Sequence, residues 1–548
     1  MEFVGIDVVY LLEITWDAQI YRFSSKPIIL DVANGGDSIS FQGSMNDIEF
    51  VESTNLFGLV IEEQAVPIEI VFDQINLVKE RMRGRLLDGS RGELSYIILE
   101  KDTQNSKDTY EGRRLLFRGR ISQPIIGDRS QPIGHVAFSL IQGVEVDDFL
   151  IKETTYQIET QNPATIGKYH PFIFGTPGKK TYAIDSSSNT YYVEDDYFVT
   201  PAYLIENSPW VPSANLSIAG HTVIATSVRV IDGEGTESTR AITETFNDVQ
   251  RFVFSKVDLY SDGGAGFVLS TGDNARYYVA WTGGGIPNPY GQGTLEGGLD
   301  IIRFILEQGD IDVDWKSFEG YSGLLNSYKF SGYLNKPTKG LDFLQTFILP
   351  YMPCEISFGS LGLRIVVPLL YNSIYSNPTR YIIENPSFYF IGYLVSELEL
   401  SEICNSVLVS YGYSAKTENF IGLKIEVAPE KKLVSSFQTT SIYADISYNR
   451  YGLRKQEIEL AMVYDIHTAT RIALDIVRRK SLGVLRIQAV ADMSYSDIQI
   501  GDIIEITSEI YYLNQHPCQV IKKQIINNGV QFELIFEENP IRQPRNIS

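Results

Sequence analysis

Short runs of alternating apolar and polar residues dominate the first 155 positions. The runs 8–16 and 19–23 are rich in β-branched and aromatic residues, and only Asp17 and Ala18 separate them, which predicts two strands and a tight connection. The run 67–72 alternates as a half-buried strand does. Further strands are predicted at 96–100 and 114–121, on either side of a polar loop at 102–112, and at 135–141. About seven short strands with Gly, Asp and Pro between them suggest a barrel or a sandwich. Turn chemistry follows at Pro163, Pro171, Gly175, Pro177 and Gly178. From 181 to 298 the pattern weakens, with strand candidates at 223–230 and 251–255 and a loop around 283–291.

The period then changes. Residues 299–307 have helical spacing with Gly309 as a stop, and 338–348 repeats it, with Thr338 as the expected N-cap and Pro350 and Pro353 ending it. Two strands around the turn 359–362 predict a hairpin. Strands return at 406–411 and 423–427, one helix is set among them at 469–480, and strands resume at 485–490, 502–507, 518–521 and 530–536. Asn527, Asn528 and Gly529 make the last two a hairpin. A helix inside such a series is expected to plug or edge a barrel. The fold class is therefore mainly β with a few short helices, in several domains. The divisions are 1–155, 156–298 (an inserted, peripheral β domain), 299–400 (an α+β connector) and 401–548.

Composition sharpens this reading. The chain has 548 residues, too many for one ordinary core, and its 33 Tyr and 28 Phe favour strands. The formal net charge is −22, which argues against a surface that coats nucleic acid. Cys354, Cys404 and Cys518 are an odd number with no CxxC spacing, so neither a disulfide framework nor a zinc site is expected. The first residues carry no basic, apolar leader pattern, and no run is apolar enough to span a membrane.

Chemistry is scarce. His135, His170, His221, His467 and His516 lie in separate elements with no metal-binding spacing. Gly175 to Thr181 resembles a phosphate-binding loop, but two residues separate its glycines where four are needed, and a strand follows. Asp310, Asp312 and Asp314 begin like a calcium loop, yet Trp315 and Tyr321 stand where Gly and Glu belong. No GxSxG motif occurs. No catalytic, cofactor-binding or metal-ligating residue is singled out, and a non-enzymatic protein is expected. Basic residues cluster at 79–85, at 113–120, and at Arg471 with Arg478, Arg479 and Lys480. In so acidic a chain they either meet acidic faces of neighbouring subunits or form solvated faces.

The order of motifs resembles the baseplate hub, or tail tip, proteins of tailed bacteriophages, with two tube-like β-barrel domains. Tyr451, Gly452, Arg454, Glu457 and Ile458 match one strand motif, Thr468, Ala469, Ala473 and Arg479 a helix motif, and Gly501, Asp502, Ile503 and Ile504 a strand start. Residues 20–30 are similar to the opening strands of siphophage tail tip proteins. Residues 116–121 resemble their Phe-x-Gly-x-Val strand, and residues 171–175 their Pro-hydrophobic-hydrophobic-Phe-Gly segment. The resemblance covers both ends and is weakest at 181–298. It implies tube-like barrels at 1–155 and 401–548. It implies a homotrimer whose six barrels form a pseudo-six-fold ring at the virion tail tip, assembled in the host bacterial cytoplasm. The implied partners are the distal tail protein or tail tube ring, the tape measure protein, and a central tail fibre or tip protein, with genomic DNA passing through the lumen unbound. Alternatives are a tail-associated cell-wall hydrolase, and a host-glycan adhesin using 181–298.

Overall fold

The computed structural model describes residues 6–16, 18–32, 36–46, 48, 50–53, 64–71, 89–100, 110–126, 135–142, 172–175, 183–185, 190–192, 198–207, 213–219, 229–231, 237–238, 242–247, 251–258, 277–281, 288–309, 312–334, 337–359, 362–369, 379–396, 402–414, 419–432, 438–482, 484–526 and 529–537. Sheets dominate and helices are few.

The N-terminal strands are β1 (Ile6–Trp16), β2 (Gln19–Ser24), β3 (Ile28–Val32), β4 (Gly36–Gly43), β5 (Phe50–Ser53), β6 (Gln64–Val71), β7 (Arg91–Glu100), β8 (Arg114–Ile126) and β9 (His135–Gln142). All but β5 form one sheet in the order β3-β4-β2-β1-β7-β8-β9-β6. Of the tight connection expected at Asp17 and Ala18, Asp17 lies outside the described residues; Trp16 pairs with Gln19, and Ala18 takes a φ of 60°. A two-residue hairpin turn of the twist-matched kind needs such a left-handed position. Alternation along β1 sets the layers. Val8, Tyr10, Leu12, Ile14 and Trp16 face an inner core, whereas Val9 and Leu11 lie with Ile28, Leu30 and Phe41 of β3 and β4 in a second, smaller cluster. The sheet curls. Val71 N donates to Ser44 O (2.7 Å) and Asn46 N to Glu69 O (3.2 Å), so the chain just past β4 reaches the far edge strand, β6.

A second sheet has the strand order Arg380–Ile383, Ile503–Ser508, Leu513–Ile526, Gly529–Glu537, Val484–Asp492, Phe388–Ser396. Its first and last strands are consecutive in the chain. The turn 384–387 joins them, and Asn385 and Phe388 exchange backbone hydrogen bonds (2.8 and 3.0 Å). The two edges of this sheet therefore also come together. β5 leaves its own region and pairs antiparallel with residues 522–525 of this sheet. One apolar core serves both sheets: Leu12, Tyr96 and Phe117 are continuous with Phe388, Ile504 and Phe532. Tyr96 Oη donates to Met493 O (3.3 Å) and also bonds Ser496 Oγ across the same junction.

Between them in sequence lies a second core. It contains the helix Gly298–Leu306, the hairpin of Glu355–Gly359 with Gly362–Val366, and a four-stranded sheet ordered Gln438–Thr439, Asn419–Val427, Ser406–Ser414, Lys455–Leu460. The helix Ile466–Lys480 packs on Asn419–Val427 and Ser406–Ser414 through Ala469, Ile472, Ala473 and Val477. The expectation that it edges a barrel is therefore corrected: its apolar stripe covers a separate sheet. A second correction concerns 338–348. The helix is Gly340–Phe343, continued by a wider turn at Leu344–Ile348, and Lys339 stands at the cap with no side-chain bond, in place of Thr338.

A seven-stranded sheet forms within 198–281 and includes Arg251–Asp258. Of the strand expected at 223–230, positions 229 and 230 fall in Arg229–Ile231, and the remainder lies outside the described residues. Phe172–Phe174, before this region, pairs with Gly332–Leu334 after it, and Gly175 N donates to Leu295 O (2.8 Å). The chain thus departs and returns at one place.

Candidate assembly surface

The residues that resembled catalytic or metal sites have other structural uses. Gly175 has a φ of +60°, and a Cβ there would collide with Ser331 and the carbonyl of Phe330; the glycine permits close packing. The rest of that loop, 176–182, lies outside the described residues except for Ala183–Asp185 after it, which is a strand. Asp312 and Asp314 pair through their backbone with the hairpin: Leu363 N donates to Asp312 O and Asp314 N to Leu363 O, both at 2.8 Å. Asp310 lies outside the described residues. Among the described residues no cluster of three His, Cys, Asp or Glu side chains could hold a metal ion. His467 is exposed, and His516 lies beside Phe536 with ring centres 5.5 Å apart. His170 and His221 lie outside the described residues, and His135 is described by its backbone. All three cysteines are buried, and burial raises each thiol above its ordinary range, away from the reactive thiolate.

Of the basic cluster at 113–120, Arg113, Arg118 and Arg120 fall on the outward face of the N-terminal sheet, whereas Arg114 pairs with the inward Tyr96 and donates to its hydroxyl (3.4 Å). Cross-strand register builds that face row by row. Glu13 on β1 stands opposite Arg22 on β2 and Glu93 on β7, and Glu93 stands opposite Arg118 on β8. Glu13 is only 7% exposed, so its charge has to be met from within the protein. It accepts from Arg22 Nε (2.7 Å), from an Arg113 guanidinium nitrogen (3.1 Å) and from Tyr110 Oη (2.8 and 2.9 Å). Arg113 also stacks over the Tyr110 ring at 3.9 Å. Burial, and then Glu13, raise the Tyr110 hydroxyl above its ordinary range, so it stays a donor. Arg118 pairs with Glu93 at 2.8 Å. One row further along, Arg91 faces Arg120 across the β7–β8 ladder, and Thr15 links Arg91 to Ile20.

The cluster at 471–480 behaves differently. Arg471 reaches Ser327 and lies over Tyr328, and Arg478 lies over Tyr443. These cations tie the helix to its own surroundings. The cluster at 79–85 lies outside the described residues.

A second outward surface belongs to the C-terminal sheet. In the edge strand Arg380–Ile383, Ile382 points into the core while Tyr381 and Ile383 are 68% and 71% exposed. Tyr381 stands opposite Glu505, and Ile383 opposite Thr507. The turn beyond carries Ile510 and Tyr512, exposed by 73% and 95%, and Tyr511 Oη holds it down by donating to Gly392 O (2.7 Å). No pattern in the sequence marks this surface, because exposure on an edge strand depends on which neighbour pairs with it.

Both surfaces suit protein–protein contact, and neither holds a constellation for bond-breaking chemistry. No helix among the described residues is long and apolar enough to cross a membrane. No protein-family model matches the sequence, and no curated protein sequence is similar to it. Solved structures show distant likeness. The chain is similar to a tail protein from Neisseria meningitidis MC58, at 8% identity and a TM-score of 0.39 over 97% of each chain. It is similar to a 43 kDa tail protein of prophage MuSo2 from Shewanella oneidensis, at 8% identity and a TM-score of 0.37, over 97% of this chain and 98% of that one. A chain of the virion of a native gene transfer agent particle is 11% identical, with a TM-score of 0.38, over 72% of this chain and 91% of that one. At these values the likeness is too distant to carry an argument.

Proposed function

We propose that this chain is a non-enzymatic hub of a phage tail tip, a structural protein of the virion that assembles as a homotrimer. One observation supports this above the others. Two curled sheets, one from each end of the chain, lie side by side on a common core, and β5 is exchanged between them. Each is read as a tube-like barrel, the N-terminal one within 1–155 and the C-terminal one, expected at 401–548, from strands within 484–537 completed by strands from 380–396. A chain with two joined barrels is already an asymmetric pair, and three such chains place six barrels in a ring. That arrangement would connect a six-fold tube to a three-fold tip.

The residues that carry the sequence resemblance have structural roles compatible with a hub. Gly452, with a φ of 73°, ends the helix Ile442–Tyr451, and Asn405 binds the turn by donating to Gly452 O (2.8 Å) and accepting from Arg454 N (2.8 Å). Phe174 is buried edge-on to Phe343, at 5.5 Å.

The ring would stand between a distal tail protein or tube ring and a central fibre or tip, with the tape measure protein and then the genome passing through. A chain of net charge −22 lets DNA slide without sticking where its acids face the lumen. Assembly takes place in the host cytoplasm on this reading. Reconstruction of the particle tests it: three copies around the axis are expected, and a different copy number or a basic lumen would refute the ring or the sliding mechanism respectively.

A further inference from the structure

Four large apolar side chains gather at one end of the C-terminal sheet. Tyr381, Ile383, Ile510 and Tyr512 are each more than two-thirds exposed. Together they offer on the order of 500 Å² of side-chain surface, the size of the largest patches found on monomers, and patches of that size mark places where something binds. We propose that the occupant is residues 538–548 of the same copy, folded back across the patch as a strap: Ile541 and Ile547 cover the tyrosines and isoleucines, and Arg542 and Arg545 meet the carboxylates beside them. The strap is a property of a single copy and does not require the ring.

The register of the sheet brings the segment there. Ile535, on the strand Gly529–Glu537, pairs with Gln519. Two positions back along that neighbour, Pro517 pairs with Glu505, and Glu505 pairs with Tyr381. Glu537, two positions beyond Ile535, is therefore level with Tyr381 and three strands away, about 14 Å across the sheet. Two antiparallel pairings and one parallel pairing link Gly529–Glu537 to Arg380–Ile383, so both strands run the same way. The chain leaves the sheet at the end that carries Ile383 and the turn of Ile510 and Tyr512. Residues 538–548 lie outside the described residues. Their eleven positions reach up to about 37 Å when extended, more than twice the distance needed.

The chemistry of the two sides matches. Glu505 stands beside Tyr381 in the ladder, and Glu509 is exposed in the turn. Neither carboxylate has an ion pair among the described residues. The cation on the edge strand, Arg380, is held by Asp497 at 2.9 Å. Residues 538–548 carry Arg542 and Arg545 against the single acid Glu538, with Ile541 and Ile547 as their large apolar side chains. Pro540 and Pro544 fix φ at their own positions and bias the residues before them to extended backbone, which lowers the entropy lost on docking. A tethered segment also acts at an effective concentration of about a millimolar, so modest contacts suffice. A bare apolar patch beside a strand edge is an aggregation hazard, and the strap removes it. A partner that binds this edge has to displace the strap first.

The test uses the full chain and hydroxyl-radical footprinting, which labels exposed tyrosine and isoleucine side chains and is read residue by residue by mass spectrometry. In the wild type, Tyr381, Ile383 and Tyr512 are expected to be labelled at least threefold more slowly than in Ile541→Asp with Ile547→Asp. Ile29 and Ile125, 70% and 65% exposed on the N-terminal sheet, should label alike in both. Arg542→Glu with Arg545→Glu should also unmask the patch, and adding Glu505→Arg with Glu509→Arg should cover it again, which misfolding could not produce. Equal labelling of the patch in the wild type and in both segment variants would overturn the strap. Protection that disappears on dilution would mean that another copy supplies the segment, and would overturn its intrachain course.

Discussion

Glu13 illustrates how a single buried charge shapes a surface. Two arginines and a tyrosine converge on it because a carboxylate only 7% exposed has lost its water. Glu13→Ala removes the shared acceptor of Arg22, Arg113 and Tyr110, while the two arginines keep partial access to water and Arg113 keeps Glu93 at 3.8 Å, so it is expected to lower stability by about 1–2 kcal/mol in a chemical melt. A change within experimental error would mean that the cluster is solvated. The thiols give a second residue-scale prediction. Burial raises Cys354, Cys404 and Cys518 away from thiolate formation, so iodoacetamide at pH 8 should leave all three unmodified until the protein is unfolded. Rapid labelling of any one in the native state would contradict its burial. Asp502 gives a pH dependence. Burial lifts its carboxyl above the ordinary value, with Arg364, 3.4 Å away, pulling less strongly in the other direction. The folded state therefore holds the proton more tightly than the unfolded state does. The stability this contributes is fully present below the ordinary carboxylate range and is lost as pH rises through the raised value. Asp502→Asn removes that dependence, so its stability relative to wild type should improve as pH rises from 4 towards 7. A relative stability that falls over the same interval would reverse the assignment.

The helix Ile466–Lys480 shows what an element's sequence does and does not reveal. Its body and C-terminal end are legible from the spacing of Ala469, Ile472, Ala473 and Val477, but it begins at Ile466 rather than the expected 469, because Asp465 caps it by accepting from Thr468 N (2.8 Å) and Thr468 Oγ1 (2.9 Å). Arg478, Arg479 and Lys480 lie at its C-terminal end, where the helix dipole favours cations. Asp465→Ala is expected to cost about 1 kcal/mol, measured as a lower melting temperature; an unchanged melt would mean that the cap is replaced by water. Which sheet the apolar stripe covers was not legible, because periodicity identifies a face and says nothing of its partner. The helix Ile442–Tyr451 escaped notice for a related reason. Its buried residues include Ala444 and Ser447 while Ile442 is half exposed, so no apolar stripe marks it. β4 was equally silent, since Gly36, Asp37, Ser38 and Ser40 make most of it polar. The strands with large alternating side chains, β1, β7 and Gly529–Glu537, were found because their own core contacts dominate. The basic cluster at 113–120 was legible as composition, whereas Glu13, the residue that organises it, lies a hundred positions away and is brought there only by the ladder.

At the scale of the whole molecule, sequence order and physical unit diverge, and this predicts how the chain can be cut. The core that holds the N-terminal sheet is completed by Phe388, Ile504, Phe532 and their neighbours, and β5 spends its hydrogen bonds on residues 522–525. A fragment of residues 1–155 would expose that shared apolar face and an unpaired strand edge, both of which promote aggregation. It is expected to be insoluble or to lack a cooperative melt, and co-expression with 380–548 should restore solubility. The region 183–281 behaves in the opposite way. The chain leaves at Gly175 and returns at Leu295, where Gly175 N donates to Leu295 O (2.8 Å), so a short Gly/Ser linker spans the gap when residues 177–290 are removed. Loop closure changes only weakly with length, and the paired strands Phe172–Phe174 and Gly332–Leu334 still seal the site. The deletion protein should melt within a few degrees of the full chain and retain its oligomeric state. Loss of folding on this deletion, or independent folding of 1–155, would show that the unit boundaries follow the sequence after all, and that the shared core is not what holds the two sheets side by side.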